Sequence, residues 1–338
     1  MAAAMDDVTA RPRPRRGRAS RNVLAFVVAA GVATAAGCAT DSSSGGGTAT
    51  SARPPVTTST IRSTSTSSST SSTISTTSST SSTSSTSTTS TTTTTTVPPP
   101  VGGFVCIGDH QAPTIWQVRP ASDIPVPPLP EGWLTPVLGP SVQGRDLQAF
   151  VRPVGTPRRR VVVIGGIHGN EPVTPPAVRG LLTADIPDDV EVWLVPLANP
   201  DGSAAGTRCN ANGVDLNRNF SWEWRPADGG PGPLSEPETL ALTTLVGAVE
   251  PDLVIWVHQP LGYVSAIGPT DAALENAWAF AAGLPVRPDV TQHGGGESWT
   301  AFVAGVPSML IEIDGWVATP EIVDAQRAGF EATLRALP

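Results

Sequence analysis

The C-terminal two-thirds of the chain alternates short apolar runs with amphipathic ones. Arg160–Ile167, Val190–Leu197, Leu253–Val257 and Ser308–Ile313 are almost continuous aliphatic runs. That is the pattern of strands buried on both faces. Leu147–Val154 alternates weakly and predicts one more strand. Helices are expected between them. Pro172–Ala184 has prolines in its first turn, where a missing N–H costs nothing. Ser235-Glu236-Pro237-Glu238 reads as a capping box opening a helix to about Val249. Ala272–Gly283 is a helix closed by glycine, and Thr319-Pro320 starts a final amphipathic helix to about Leu337. Strands alternating with helices predict an α/β fold, with a mixed, mostly parallel sheet sandwiched by helices.

The N-terminal third has a different pattern. Residues 41–97 are almost entirely Ser and Thr, a composition that cannot bury enough apolar surface to offset its ordering entropy. Before them, six Arg lie between Arg11 and Arg21, and Val23–Ala36 is an uninterrupted apolar and small-residue stretch. It is short for a membrane span and has the length of a signal-peptide core. It ends in Ala35-Ala36-Gly37-Cys38, which resembles a bacterial lipobox with Cys38 as the lipidated residue. An ordinary secretory signal cleaved near Ala36 is the alternative, and both predict export. The expected organisation is a lipoprotein-type signal peptide over 1–37 and a disordered Ser/Thr-rich linker over 38–97. A Pro-rich lead-in over 98–133 then precedes a folded domain over 134–338. The Ser/Thr tract reads as a tether between a membrane anchor at Cys38 and the folded domain; fully extended it would reach roughly 190 Å.

Charge and cysteines narrow the picture further. From residue 98 onward 26 Asp and Glu face 13 Arg, and the chain has no Lys. A domain with a net charge of −13 is a poor partner for nucleic acid or an anionic membrane surface. Beyond Cys38 only Cys106 and Cys209 remain. Outside the cytoplasm they could pair as a disulfide, and two buried thiols are the other reading. Nothing in the pattern indicates an oligomeric state.

The apolar strands carry unusual residues at their ends. "VVVIGGIHGNEP" delivers His168 and Glu171, "DLVIWVH" delivers His258, and "SMLIEID" places Glu312 inside an aliphatic run. Sites in open α/β sheets gather at the carboxyl ends of strands. A buried carboxylate is costly unless a cation or hydrogen bonds compensate it. Two His and one Glu make the three-ligand shell of a catalytic zinc, and a further Glu nearby could take a proton from water.

A second stretch, "NPDGSAAGTRCNANGVDLNRNF" over Asn199–Phe220, joins this chemistry. With "GGIHGNEP" it resembles the zinc carboxypeptidase family, in particular a short bacterial branch that includes murein peptide amidases. The resemblance covers roughly Leu134–Leu337. It implies one zinc ion held by His168, Glu171 and His258, with Glu312 as general base and Arg208 stabilising the oxyanion. It also implies Asn217 and Arg218 as the grip on the substrate's terminal carboxylate, and Asp215 as the partner that orients His168.

Two departures bear on the substrate. The family's loop Tyr would fall near Val290, whereas the only Tyr is Tyr263, expected on a strand. The phenol is therefore expected to be missing, with His293 of "QHGGGES" as a conceivable substitute or a plain solvent-exposed loop residue. Glu297 falls where the family lines the side-chain pocket for the released residue, and an acid there favours a basic side chain. It could equally be an acid in the first turn of a helix. The expected function is an exported zinc metallopeptidase cutting the D-glutamyl–diaminopimelate bond of peptidoglycan stem peptides. The alternatives are a general carboxypeptidase for basic C-terminal residues, an N-acyl amino acid deacylase related to aspartoacylase, and a non-catalytic wall-binding module.

Overall fold

The computed structural model describes Cys106 and residues 124–338 apart from Asp289. The expected signal peptide, Cys38, the Ser/Thr linker and most of the lead-in lie outside the described residues. Within them, a small antiparallel pair, β1 (Val137–Pro140) and β2 (Asp146–Gln148), precedes a six-stranded sheet. The sheet is formed by β3 (Phe150–Arg152), β4 (Arg159–Gly165), β5 (Val190–Val195), β6 (Leu253–His258), β7 (Leu261–Ile267) and β8 (Ser308–Asp314). Its order is β3-β5-β4-β6-β8-β7. The four central strands are parallel, and both edge strands pair antiparallel.

Side-chain alternation along the central strands divides the core into two layers. Val161, Val163, Leu253, Ile255, Val257, Met309 and Ile311 face one side. There they pack against α1 (Thr174–Gly180), α4 (Ala272–Ala282) and α6 (Pro320–Ala336). Val162, Ile164, Val254, Trp256 and Leu310 face the other side, against α3 (Pro237–Val249), Leu216, Phe220 and Trp299. With Trp278, Trp256 is one of the two largest fully buried side chains among the described residues, and its ring meets Phe220 edge-on at 5.4 Å. The expected sandwich with a mostly parallel sheet is therefore the observed one.

Several local expectations change. The strand expected over Leu147–Val154 is two short strands, β2 and β3, divided at Ala149. The helix expected over Pro172–Ala184 is α1 followed by a 3-10 turn at Leu181–Thr183. The capping box does not form. Glu236 is the N-cap and makes no side-chain cap bond, and Ser235 Oγ instead donates to Glu236 Oε1. Glu238 is buried, accepting from Val142 N and Asn210 Nδ2. Burial pushes its pKa upward. Cys106 and Cys209 are joined as a disulfide, which resolves the choice between a bridge and two thiols. The bridge ties the lead-in to the residue beside Arg208.

Candidate active site

The site lies at the carboxyl ends of β4, β6 and β8. β4 ends at Gly165, and a turn through Gly166 (φ +61°) carries His168 and Glu171 over the sheet edge. The turn is anchored by Thr174 Oγ1, which accepts from Gly166 N, and by Asn199 N donating to the Gly166 carbonyl. His258 is the last residue of β6, one strand away, and Glu312 is its register partner on β8. Three parallel neighbours thus deliver all four residues to one edge. α2 (Pro200–Ala205) begins with Asn199 as its N-cap, and the chain beyond it turns back with Arg208, Asp215, Asn217 and Arg218.

His168, Glu171 and His258 are all buried and offer ligand atoms within 4.8 Å of one another. Both imidazoles turn Nδ1 to the same carboxylate. His168 Nδ1 is 2.6 Å from Glu171 Oε1, and His258 Nδ1 is 3.3 Å from Glu171 Oε2. Glu171 Oε2 has no hydrogen-bond partner in the protein. The far nitrogen of His168, Nε2, faces Asp215 Oδ1 at 3.2 Å, which sets the ring's orientation. Two imidazole nitrogens and one carboxylate oxygen, converging and incompletely satisfied, fit zinc with one position left open.

The electrostatics carry the same signature. Burial alone would raise Glu171, but the two imidazoles outweigh it and hold the carboxyl at about 2. Burial would lower His258, yet Glu171 beside it lifts the imidazole to about 9. Asp215 is also buried, and Arg208 and then His168 hold its pKa well down. Arg208 donates from Nε to Asp215 Oδ2 at 2.8 Å, and its Nη1 lies 4.0 Å from Glu171 Oε1. Glu312 faces the same cleft, and burial pushes its carboxyl up to about 7. A carboxyl that titrates near neutrality is suited to passing protons.

The cleft is about 370 Å³ and places these groups in one continuous space. Asn217 and Arg218 line it as well. Asn217 Oδ1 accepts from Gly296 N at 2.8 Å, so its Nδ2 is left to serve the cleft. Arg218 Nη1 donates to the Asn217 carbonyl, and its Nε lies 3.6 Å from Asp228. Glu297, on the short helix α5 (Gly296–Trp299), is fully buried and lines the cleft. Neither of its carboxylate oxygens has a hydrogen-bond partner in the protein. It is also an acid in the first turn of α5, as the alternative reading expected, and its burial in the cleft adds to that position.

The tyrosine expectation is corrected in one respect. No phenol comes from the loop near Val290, but Tyr263 on β7 is the register partner of Glu312 and lines the cleft. Burial and the neighbouring Glu312 carboxylate lift its pKa to about 12, so the phenol keeps its proton at neutral pH. His293 is not a substitute: its Nδ1 sits 2.8 Å from Glu223, its ring stacks on Trp222, and it does not line the cleft. Sequence reasoning passed over Asn170, Gln259 and Trp316, which also line the cleft.

Residues 134–265 match the zinc carboxypeptidase family, and that stretch holds all three proposed metal ligands. The chain is 33% identical over 183 residues to murein peptide amidase A of Escherichia coli, covering 48% of this chain and 74% of that protein. It is 31% identical over 174 residues to murein peptide amidase A of Vibrio campbellii, covering 45% of this chain and 67% of that one. Carboxypeptidase A of Helicoverpa armigera has the same fold, with a TM-score of 0.55 at 18% identity over 62% of this chain and 69% of that one. The match in the segment that builds the metal site, with extended identity to these relatives, makes this chain a hydrolase that belongs to the zinc carboxypeptidase family.

Proposed function

We propose that this protein is an exported zinc peptidase that removes a C-terminal residue bearing a side-chain ammonium from peptidoglycan stem peptides, at the D-glutamyl–diaminopimelate bond. The observation that carries the substrate class is Glu297. A fully buried carboxylate without a protein partner, in a cleft that also holds Asn217 and Arg218, calls for a cation from the ligand. Diaminopimelate offers an ammonium for Glu297 and an α-carboxylate for the Arg218 fork. Murein peptide amidases among the relatives support the same reading.

His168, Glu171 and His258 would hold the zinc, which when bound supplies a Lewis acid that polarises the scissile carbonyl and acidifies water. Glu312 takes the proton from the attacking water and returns it to the leaving amine. In the metal-free site burial already lifts its carboxyl to about 7, well above an ordinary glutamate. Arg208, fixed against Asp215, meets the charge that develops on the carbonyl oxygen. Asn217 and Arg218 hold the free carboxylate, so cleavage occurs one residue from the chain end. The Arg-rich and apolar segment before Cys38 supports export and lipid anchoring, and the Ser/Thr tract would let the domain reach the wall.

The same buried acid suits C-terminal Lys or Arg, which is the second reading. The test is to incubate zinc-loaded protein with L-Ala–γ-D-Glu–diaminopimelate and, separately, with a peptide ending in Lys, and to follow the free amino acid. Faster release of diaminopimelate supports the proposal. Release of Lys alone would replace it with the second reading.

A further inference from the structure

Of the cleft-lining amides that neither the metal site nor the carboxylate grip uses, Asn170, Gln259 and Gln292, Gln259 is the one with a buried side-chain atom that has no protein partner. It directly follows His258 and is 4% exposed. Val173 N donates to its Oε1 at 2.6 Å, so the orientation of the amide is fixed. Its Nε2 is consequently a donor, buried in the cleft wall with no protein partner. An unmatched buried donor costs free energy in the resting protein, and a ligand acceptor relieves it.

The walls of the cleft say which part of a substrate would do so. One wall joins Asn217 to Gly296 and Phe220 to the Gly294 carbonyl, and so unites Arg218 with Glu297. That wall takes the leaving residue. Gln259 stands apart from that wall: it is tied to Val173, which packs in the first core layer, whereas Phe220 and Trp299 beside Arg218 and Glu297 pack in the second, and the chain continues to Leu261, whose N donates to Glu312 Oε2 at 3.3 Å. A peptide lying across His168, Glu171 and His258 therefore presents its acyl side to Gln259. We propose that Gln259 Nε2 is a specificity-determining donor that reads a carboxylate on the acyl side of the scissile bond. A γ-linked glutamyl residue carries such a group, its free α-carboxylate, whereas an α-linked peptide bond does not. This inference rests on the proposed function for the direction in which substrate lies.

The test uses Gln259→Glu in the full, zinc-loaded chain. This change keeps an oxygen for Val173 N and replaces only the donor with a negative acceptor. Two substrates are compared: L-Ala–γ-D-Glu–diaminopimelate and its counterpart with the α-carboxylate converted to a carboxamide. The expected result is a rise in KM of roughly tenfold or more on the carboxylate substrate with kcat little changed. The carboxamide, which can donate to the new carboxylate, should lose far less, so the wild-type preference for the carboxylate narrows or reverses. Gln259→Met should weaken the carboxylate substrate without improving the carboxamide. Zinc content and melting temperature are measured alongside. Equal losses on both substrates would overturn the inference by marking a role in holding the loop, and unchanged kinetics would overturn it outright. If wild-type protein ignores both substrates and cleaves only peptides ending in Lys, the substrate reading fails and this inference falls with it. That failure shows in the wild type, before any variant is made.

Discussion

Zinc binding should tighten as pH rises, because the metal-free site holds a proton that the metal must expel. In the metal-free protein burial would lower His258, but the Glu171 carboxylate 3.3 Å away lifts it to about 9. Moving from the ordinary value of 6.5 to about 9 corresponds to roughly 3 kcal/mol of net stabilisation of the charged imidazole, after the cost of burial, by Glu171 and then by Glu312 and Glu297. Zinc takes only the neutral imidazole. Glu171, held at about 2, is already ionised and gives up no proton. The apparent Kd should therefore fall about tenfold per pH unit between 7 and 9, then flatten. Competition against a chromophoric chelator across that range measures the slope. Calorimetry in two buffers of different ionisation enthalpy should show about one proton released from His258 at pH 7.5. The stability of the metal-free protein depends on pH with the opposite sign. The folded pKa of His258 lies above its unfolded value, so the pairing stabilises metal-free protein fully below about 6.5 and is lost as pH rises through about 9. The metal-free protein should melt at lower temperature at pH 9.5 than at pH 7, and zinc should remove that difference. A Kd that does not change with pH, with no proton release, would refute the claim that His258 and Glu171 are a preformed ligand pair.

Three further changes separate the parts of the site. Glu297→Gln keeps the shape and removes the charge; kcat/KM for substrates releasing an ammonium-bearing residue should fall about a hundredfold, while one releasing Ala should change little. Asp215→Asn weakens the hold on both His168 Nε2 and Arg208 Nε. Zinc affinity should drop roughly tenfold to a hundredfold, and kcat should stay low even at saturating zinc. Trp256→Ala empties the centre of the second layer and should cost about 3–5 kcal/mol in urea unfolding.

Much of the frame could be read from the chain because the central strands are buried on both faces and so appear as unbroken aliphatic runs. The same fact exposed the site: His168, Glu171 and Glu312 are anomalous in such runs or directly beyond them, and His258 closes one. β7 was harder, since it is an edge strand whose place depends on antiparallel pairing with β8. That non-local register is what brings Tyr263 beside Glu312, and a local pattern carries no trace of it. The capping box failed because its residues are recruited into a buried polar cluster: Asn210 Nδ2 lies 2.7 Å from Glu236 and 3.2 Å from Glu238. Gln259 gave no sequence signal, for a glutamine after a strand is ordinary until the bond from Val173 fixes its amide. The charge on Glu297 was visible, but its burial without a partner was not.

The central claim is that Glu312 performs proton transfer at a zinc site formed by His168, Glu171 and His258. The most direct measurement compares kcat of wild type and Glu312→Gln on L-Ala–γ-D-Glu–diaminopimelate, with one equivalent of zinc verified in each. The account predicts equal zinc content and a kcat lower by about a thousandfold in the variant. A variant that binds zinc normally and turns over within a few-fold of wild type would contradict it.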